Sequence, residues 1–276
     1  MAGHNTLKLA FIGFGEVGAR FTRDLVARPD VVVNAYDVLA ERPETAEAWR
    51  EKARAAGATP FSSAAAACAE ASIVISAVTA SEAEAVAQSA ARFLKPGQVL
   101  VDVNSASPGT KQRAAAHVAR SGAEYVEAAV MAPVLAPGIT VPILAGGKLA
   151  VETAERLNAL GFRINPVAVE IGRASAMKLC RSIVIKGLEA LMVDCAAACK
   201  AAGVEDQVFG SLDASYPSIN WRALAADMGE RVATHGVRRS AEMFEAAAML
   251  QEIGVNPGLA SAVAEAQLRG ARKKSV

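Results

Sequence analysis

The sequence has no excess of either charge and few aromatic residues. Its 29 Lys and Arg against 28 Asp and Glu leave a formal charge of +1, and the basic residues are scattered apart from Arg272-Lys273-Lys274. That excludes an extended basic face, so no nucleic-acid partner is expected. Aromatic residues make up 5% of a chain that is 53% hydrophobic; alanine dominates the rest, which suits close helix packing in an α/β or α-rich enzyme better than a β-sandwich. No uncharged apolar run reaches the ~18 residues that span a bilayer. The N-terminal MAGHNTLKLAFIG lacks a basic region followed by an apolar core. A soluble, cytoplasmic protein with no membrane partner is expected. The four cysteines, Cys68, Cys180, Cys195 and Cys199, form no CxxC and no partnered Cys/His spacing. Cys195 and Cys199 read as small buried thiols on a core face, and no metal is expected. Neither an internal repeat nor a low-complexity linker interrupts a chain of 276 residues, which is long enough for two domains of roughly 100–170 residues each.

What is present begins with a short apolar strand, Leu7–Ile12, running into Gly13-Phe14-Gly15-Glu16-Val17-Gly18 and then into helical spacing. This is GxGxxG in the strand-turn-helix setting that a dinucleotide site needs. The first glycine permits the tight turn, the second lets backbone approach a pyrophosphate, and the third lets the helix pack on the strand. The helix N-terminus adds free N–H groups and partial positive charge. A second strand, Val31–Tyr36, ends at Asp37, about twenty residues past the last glycine, where a carboxylate can accept from ribose hydroxyls and repel the extra phosphate of NADP. NAD is therefore the favoured cofactor, with Arg42 keeping NADP open.

Further buried strands are predicted over 73–78, 99–103, 125–130, 141–147 and 162–164, with helical segments between most of them. The expected fold is α/β: an N-terminal Rossmann-type, doubly wound, mostly parallel sheet over 1–166, followed by an all-α domain over 167–276. Ligands of such sheets bind beyond the carboxyl ends of the strands. There the sequence offers Ala77, Val78 and Thr79 after one strand and Asn104 and Ser105 after another. Past Glu170 strand signals stop, and helices are predicted over 174–202, 208–212, 219–233, 239–253 and 258–269, with Gly236 read as a break. The first of these is apolar over more than one stripe, which fits an interdomain or dimer interface. It also carries Lys178 between Met177 and Leu179.

Taken together, FIGFGEVGA, Asp102-Val103-Asn104-Ser105-Ala106-Ser107-Pro108 and Gly172-Arg173-Ala174-Ser175-Ala176-Met177-Lys178 resemble, in order and spacing, the signatures of the β-hydroxyacid dehydrogenase family. That family is related to 6-phosphogluconate and 3-hydroxyisobutyrate dehydrogenases. The resemblance covers nearly the whole chain and is strongest to a divergent subgroup with an altered C-terminal part. It implies an enzyme, an NAD(P)-dependent dehydrogenase/reductase acting on CH–OH. Hydride would pass between nicotinamide and a β-hydroxy acid or related alcohol or aldehyde, with Lys178 as general acid/base and Asn104, Ser105 and Ser182 as its companions. Ser182 stands where the family usually has asparagine. The loop holding Met131 and Ala132 lacks the family's Ser-Gly-Gly, and Arg238, Arg239 and Glu242 fall near its C-terminal Lys-Asp pair. These five residues are the substrate-binding candidates. A homodimer and a small-molecule substrate are expected. Imine reduction, oxidative decarboxylation on the same scaffold and a non-catalytic NAD-binding role are the alternatives.

Overall fold

The computed structural model describes residues 6–272; the N-terminal residues 1–5 and the basic Lys273-Lys274 lie outside them. The chain divides into two compact units, 1–178 and 179–276, and the division falls within one helix, just after Lys178.

The first unit is built on strands β1 (Leu7–Ile12), β2 (Val31–Tyr36), β3 (Thr59–Pro60), β4 (Ile73–Ser76), β5 (Val99–Asp102), β6 (Glu124–Val130), β7 (Pro142–Gly146) and β8 (Arg163–Ala168). They form one sheet in the order β3-β2-β1-β4-β5-β6-β7-β8. Helices α1 (Glu16–Leu25), α2 (Pro43–Ala55), α3 (Ala64–Cys68), α4 (Ala83–Ala90), α5 (Pro108–Ala119) and α6 (Ala150–Asn158) lie between strands. Such crossovers make the paired strands parallel. No crossover helix separates β6 from β7, and that pair alone runs antiparallel. Strand residues alternate between two core layers: Leu9 and Phe11 pack with Val33, Ile73 and Ile75, whereas Ala10 and Ile12 pack with Val74 and Leu100. A sheet covered on both faces needs continuous apolar strands, which is why these were legible.

Most strand ends fall within a residue of the expectation; two differ by more, and one strand was missed. The strand read over 73–78 ends at Ser76: Val78 N–H donates to the Asn104 side chain at 2.7 Å rather than extending the ladder. β8 runs on to Ala168 beside β7, and β3, with two residues, is too short to leave a periodic signal.

Within the second unit the described residues are helical: the remainder of α7 (Arg173–Ala202), then α8 (Glu205–Ser215), α9 (Trp221–Glu252) and α10 (Gly258–Arg272). Met192, Phe209 and Met228 form an apolar core there, with Trp221 and Leu212 packed against it. Gly236 does not break a helix. α9 is continuous through it, and a Cβ at Gly236 would lie 2.3 Å from the Gln267 carbonyl oxygen and 2.7 Å from Ala271 Cβ. Gly270 has the reciprocal constraint, 2.3 Å from Val232 Cγ1. These glycines let α9 and α10 approach closely, a packing reason that sequence punctuation cannot distinguish from a turn. No described helix is long and apolar enough to cross a membrane.

Candidate functional site

The glycine turn between β1 and α1 has the geometry its sequence requires. Gly13 has a φ of +87°, and a Cβ there would stand 2.5 Å from the Ala77 carbonyl oxygen, so the turn lies directly against the loop after β4. Gly15 is exposed, and a Cβ there would meet nothing within 4 Å. A Cβ at Gly18 would stand 3.0 Å from the Gly13 carbonyl oxygen, so its absence lets α1 come down on the strand. Gly15 caps α1 without a side-chain acceptor, leaving the first N–H groups of the helix available to an anion. Phe14 is buried, Glu16 is exposed and Val17 is half-buried. Asp37 is fixed against the turn: one carboxylate oxygen accepts from Phe14 N at 2.7 Å and the other from Leu39 N at 3.1 Å.

At the ends of β4 and β5, Asn104 is almost fully buried and both ends of its amide are engaged. Its oxygen accepts from Val78 N, and its nitrogen donates to Ser76 Oγ at 3.1 Å. The side chain therefore brackets 77–79 onto β5, with Ala77 and Val78 half-buried and Thr79 exposed. Behind it lies a buried network that sequence reasoning missed. Asp102 accepts from Asn104 N at 2.9 Å and from the Tyr125 hydroxyl at 2.6 Å, and pairs with the Lys111 ammonium at 2.8 Å. Burial first, then Asp102, pushes the Tyr125 hydroxyl well above its ordinary range, so it remains a donor. Lys111 reads in sequence as one more helix-surface lysine, yet it is fully buried. Its only clue was an aspartate at a strand end.

A second buried acid anchors the start of α7. Glu127, fully buried on β6, accepts from Gly172 N at 2.6 Å, Ala174 N at 3.1 Å, Ser175 N at 3.2 Å and Ser175 Oγ at 2.5 Å. A carboxylate at a helix N-terminus both satisfies the orphan donors and opposes the helix dipole. Gly146 leaves it room, since a Cβ there would stand 2.6 Å from Glu127 Oε1. Gly172 turns with a φ of +103°, and a Cβ there would stand 3.0 Å from Pro108 Cβ at the start of α5. One turn beyond Ser175, the half-buried Lys178 donates from Nζ to Ser105 Oγ. Two candidates far apart in sequence thus meet, one from the loop after β5 and one from α7. A charge in the middle of an otherwise apolar strand was the available signal for Glu127.

The loop after β6 carries Met131, half-buried with its N–H donating to Pro142 O at 2.9 Å, and Ala132, which is exposed. It is tied to α1: Arg20 Nε donates to Leu135 O at 3.0 Å, Asp24 accepts from Ile139 N at 2.9 Å, and Arg20 and Asp24 pair with each other.

In the second unit Ser182, Arg239 and Glu242 come together with residues that were not singled out. Ser182 donates to Glu242 at 2.5 Å and accepts from Lys186 at 3.2 Å, while Lys186 pairs with Glu242 at 2.9 Å. Arg239 reaches both oxygens of the fully buried Glu189 at 2.8 Å, and Gln267 donates to Glu189 at 3.1 Å. Arg238 is exposed and outside this network. Cys195 and Cys199 have their sulfurs 4.0 Å apart. Among the described residues no group of three or more His, Cys, Asp or Glu is arranged to hold a metal ion.

Comparison with known proteins matches residues 8–158 to the NAD binding domain of 6-phosphogluconate dehydrogenase, and residues 200–269 to a domain of unknown function (DUF1932). A conserved hypothetical protein from Sinorhizobium meliloti 1021 is 37% identical with a TM-score of 0.83, covering 98% of this chain and 90% of that one. A conserved protein of unknown function, described as structurally similar to 3-hydroxyacid dehydrogenases, is 31% identical with a TM-score of 0.76, covering 98% of this chain and 100% of its own. The 3-hydroxyisobutyrate dehydrogenase of Mycobacterium tuberculosis shares the fold at 18% identity and a TM-score of 0.78, over 98% of this chain and 95% of that one.

Proposed function

The chain belongs to the β-hydroxyacid dehydrogenase-like family, with the NAD-binding domain of 6-phosphogluconate dehydrogenase and a divergent C-terminal domain, and on that premise we propose an oxidoreductase that acts on a β-hydroxy acid or related alcohol or aldehyde, with Lys178 as general acid/base. The observation that carries this reading is the Lys178 ammonium donating to Ser105 Oγ, in the unit that also holds the glycine turn. The turn suits a dinucleotide: Gly13 is sterically obligatory, Gly18 is tightly packed, Gly15 is open and the α1 N-terminus lacks a side-chain cap. When bound, the nicotinamide supplies the hydride acceptor or donor.

What the chain itself contributes is control of a proton. As the hydride leaves the carbinol carbon, the hydroxyl must lose a proton to a group within hydrogen-bond reach. Lys178 Nζ takes it as the amine and returns it as the ammonium when a carbonyl is reduced. Ser105 holds Nζ in place, Glu127 fixes the helix turn from which Lys178 projects, and Asn104 fixes the adjoining loop. Asp37 favours NAD, since its carboxylate accepts from ribose hydroxyls and repels a 2′-phosphate. A homodimer is part of the proposal, supported by Val184, Leu188 and Leu191, exposed at helical spacing on α7.

The test is a panel of hydroxy acids, aldehydes and imines assayed with NAD(H) and NADP(H). Turnover of a hydroxy acid or aldehyde with NAD(H) supports the reading. Turnover of imines alone moves the chain to the alternative chemistry, which has no need of Lys178. Binding of NADH without turnover of any compound favours a non-catalytic role.

A further inference from the structure

The end of β2 carries two fixed carboxylates rather than one. Asp37 is held on both oxygens by backbone N–H groups, one of them from Phe14 inside the glycine turn. It also starts the one-turn 3-10 helix Val38–Glu41, whose Ala40 N donates to Asp37 O at 2.9 Å. That tight turn brings its last residue back toward its first. Glu41 then accepts from the Tyr36 hydroxyl, and Tyr36 is the last residue of the strand. Burial of the phenol, then Glu41, then Asp37 raise its pKa, so both carboxylates act on one hydroxyl and the donor to Glu41 stays protonated. The next side chain, Arg42, is exposed and forms no ion pair among the described residues.

We propose that Glu41, held by Tyr36, is a second specificity-determining residue that acts with Asp37 to exclude the 2′-phosphate of NADP. This rests on the reading of the turn as an NAD site. Asp37 makes the favourable contact to the ribose. Glu41 makes no contact with NAD and contributes only repulsion toward a phosphate, so specificity here includes an element built against the wrong ligand. Removing it changes NADPH binding and leaves NADH binding nearly unaltered.

The experiment is a fluorescence titration of NADH and NADPH against wild type, Glu41→Gln, Tyr36→Phe and Arg42→Ala. Wild type is expected to bind NADH more tightly. Glu41→Gln should tighten NADPH about tenfold at low salt, as removal of one repulsive charge beside a phosphate predicts, with NADH within about twofold. Tyr36→Phe should tighten NADPH by a smaller factor, because the freed Glu41 keeps its charge. The gain from Glu41→Gln should shrink at high salt, since the pair is exposed. An unchanged NADPH-to-NADH ratio in Glu41→Gln, with wild type still preferring NADH, overturns the inference and leaves Asp37 as the sole determinant. Weaker NADPH binding in Arg42→Ala, with no effect of Glu41→Gln, also overturns it. If wild type binds neither nucleotide, it is the proposed function that fails.

Discussion

Glu127 in the sheet unit and Glu189 in the helical unit are both buried to zero exposure, yet they are neutralised in opposite ways. Glu127 is met by three backbone N–H groups and one hydroxyl, all from the start of α7. Glu189 is met by the Arg239 guanidinium and the Gln267 amide. A carboxylate satisfied by main chain fixes the register of a helix, and no side-chain replacement elsewhere can substitute for it. One satisfied by side chains joins neighbouring helices, and it can be exchanged together with its partner. The first device suits a unit in which the start of α7 sets Lys178 against Ser105; the second suits a bundle.

The largest loss is expected at Glu127. Glu127→Ala leaves four donors unsatisfied and should cost about 4–5 kcal/mol of stability, read as a lower urea midpoint. Next, Arg239→Ala strands the Glu189 charge and should cost about 3 kcal/mol. Pairing Arg239→Leu with Glu189→Met should recover at least half of that in the same unfolding experiment, because an apolar pair can replace a buried ion pair. Failure of the double variant to recover would put the two acids in the same class after all. Gly236→Ala is a smaller test with an informative sign. Helix propensity alone gives a gain of about 1 kcal/mol, whereas the 2.3 Å approach of the Gln267 carbonyl demands a net loss of about 1–3 kcal/mol. The smallest effect is chemical: Cys180 is exposed and should react quickly with a thiol reagent near neutral pH, while burial pushes the Cys68 thiol up to about 12 and should keep it silent.

The sheet was legible because parallel strands buried on both faces are written as continuous apolar runs, and the turn because its glycines keep the spacing of the motif, Gly13 and Gly18 against close neighbours and Gly15 in the open. Lys178 and Ser105 were singled out by their place in three family-like signatures, and the structure brings their side chains together. The supporting acids were less visible. Glu127 and Asp102 sit inside or at the end of apolar strands, and Lys111 and Lys186 lie on helices where lysine is ordinarily solvated. Glu127 and Lys186 find partners on distant segments, and Asp102 and Lys111 pair across a strand end and the helix after it, contacts of which local periodicity carries no record. Gly236 failed for a related reason: a glycine that admits a neighbouring helix and one that ends its own look alike in one dimension.

As proposed, Lys178 moves the proton in a nicotinamide-dependent reaction. That role is tested most directly by Lys178→Ala, comparing kcat on the substrate that the panel identifies with NADH affinity from fluorescence titration. A fall in kcat of about 10³-fold is expected, typical of losing a general acid/base, with the NADH dissociation constant within about threefold of wild type. Turnover that survives the substitution at near wild-type rate, with NADH still bound, would contradict it.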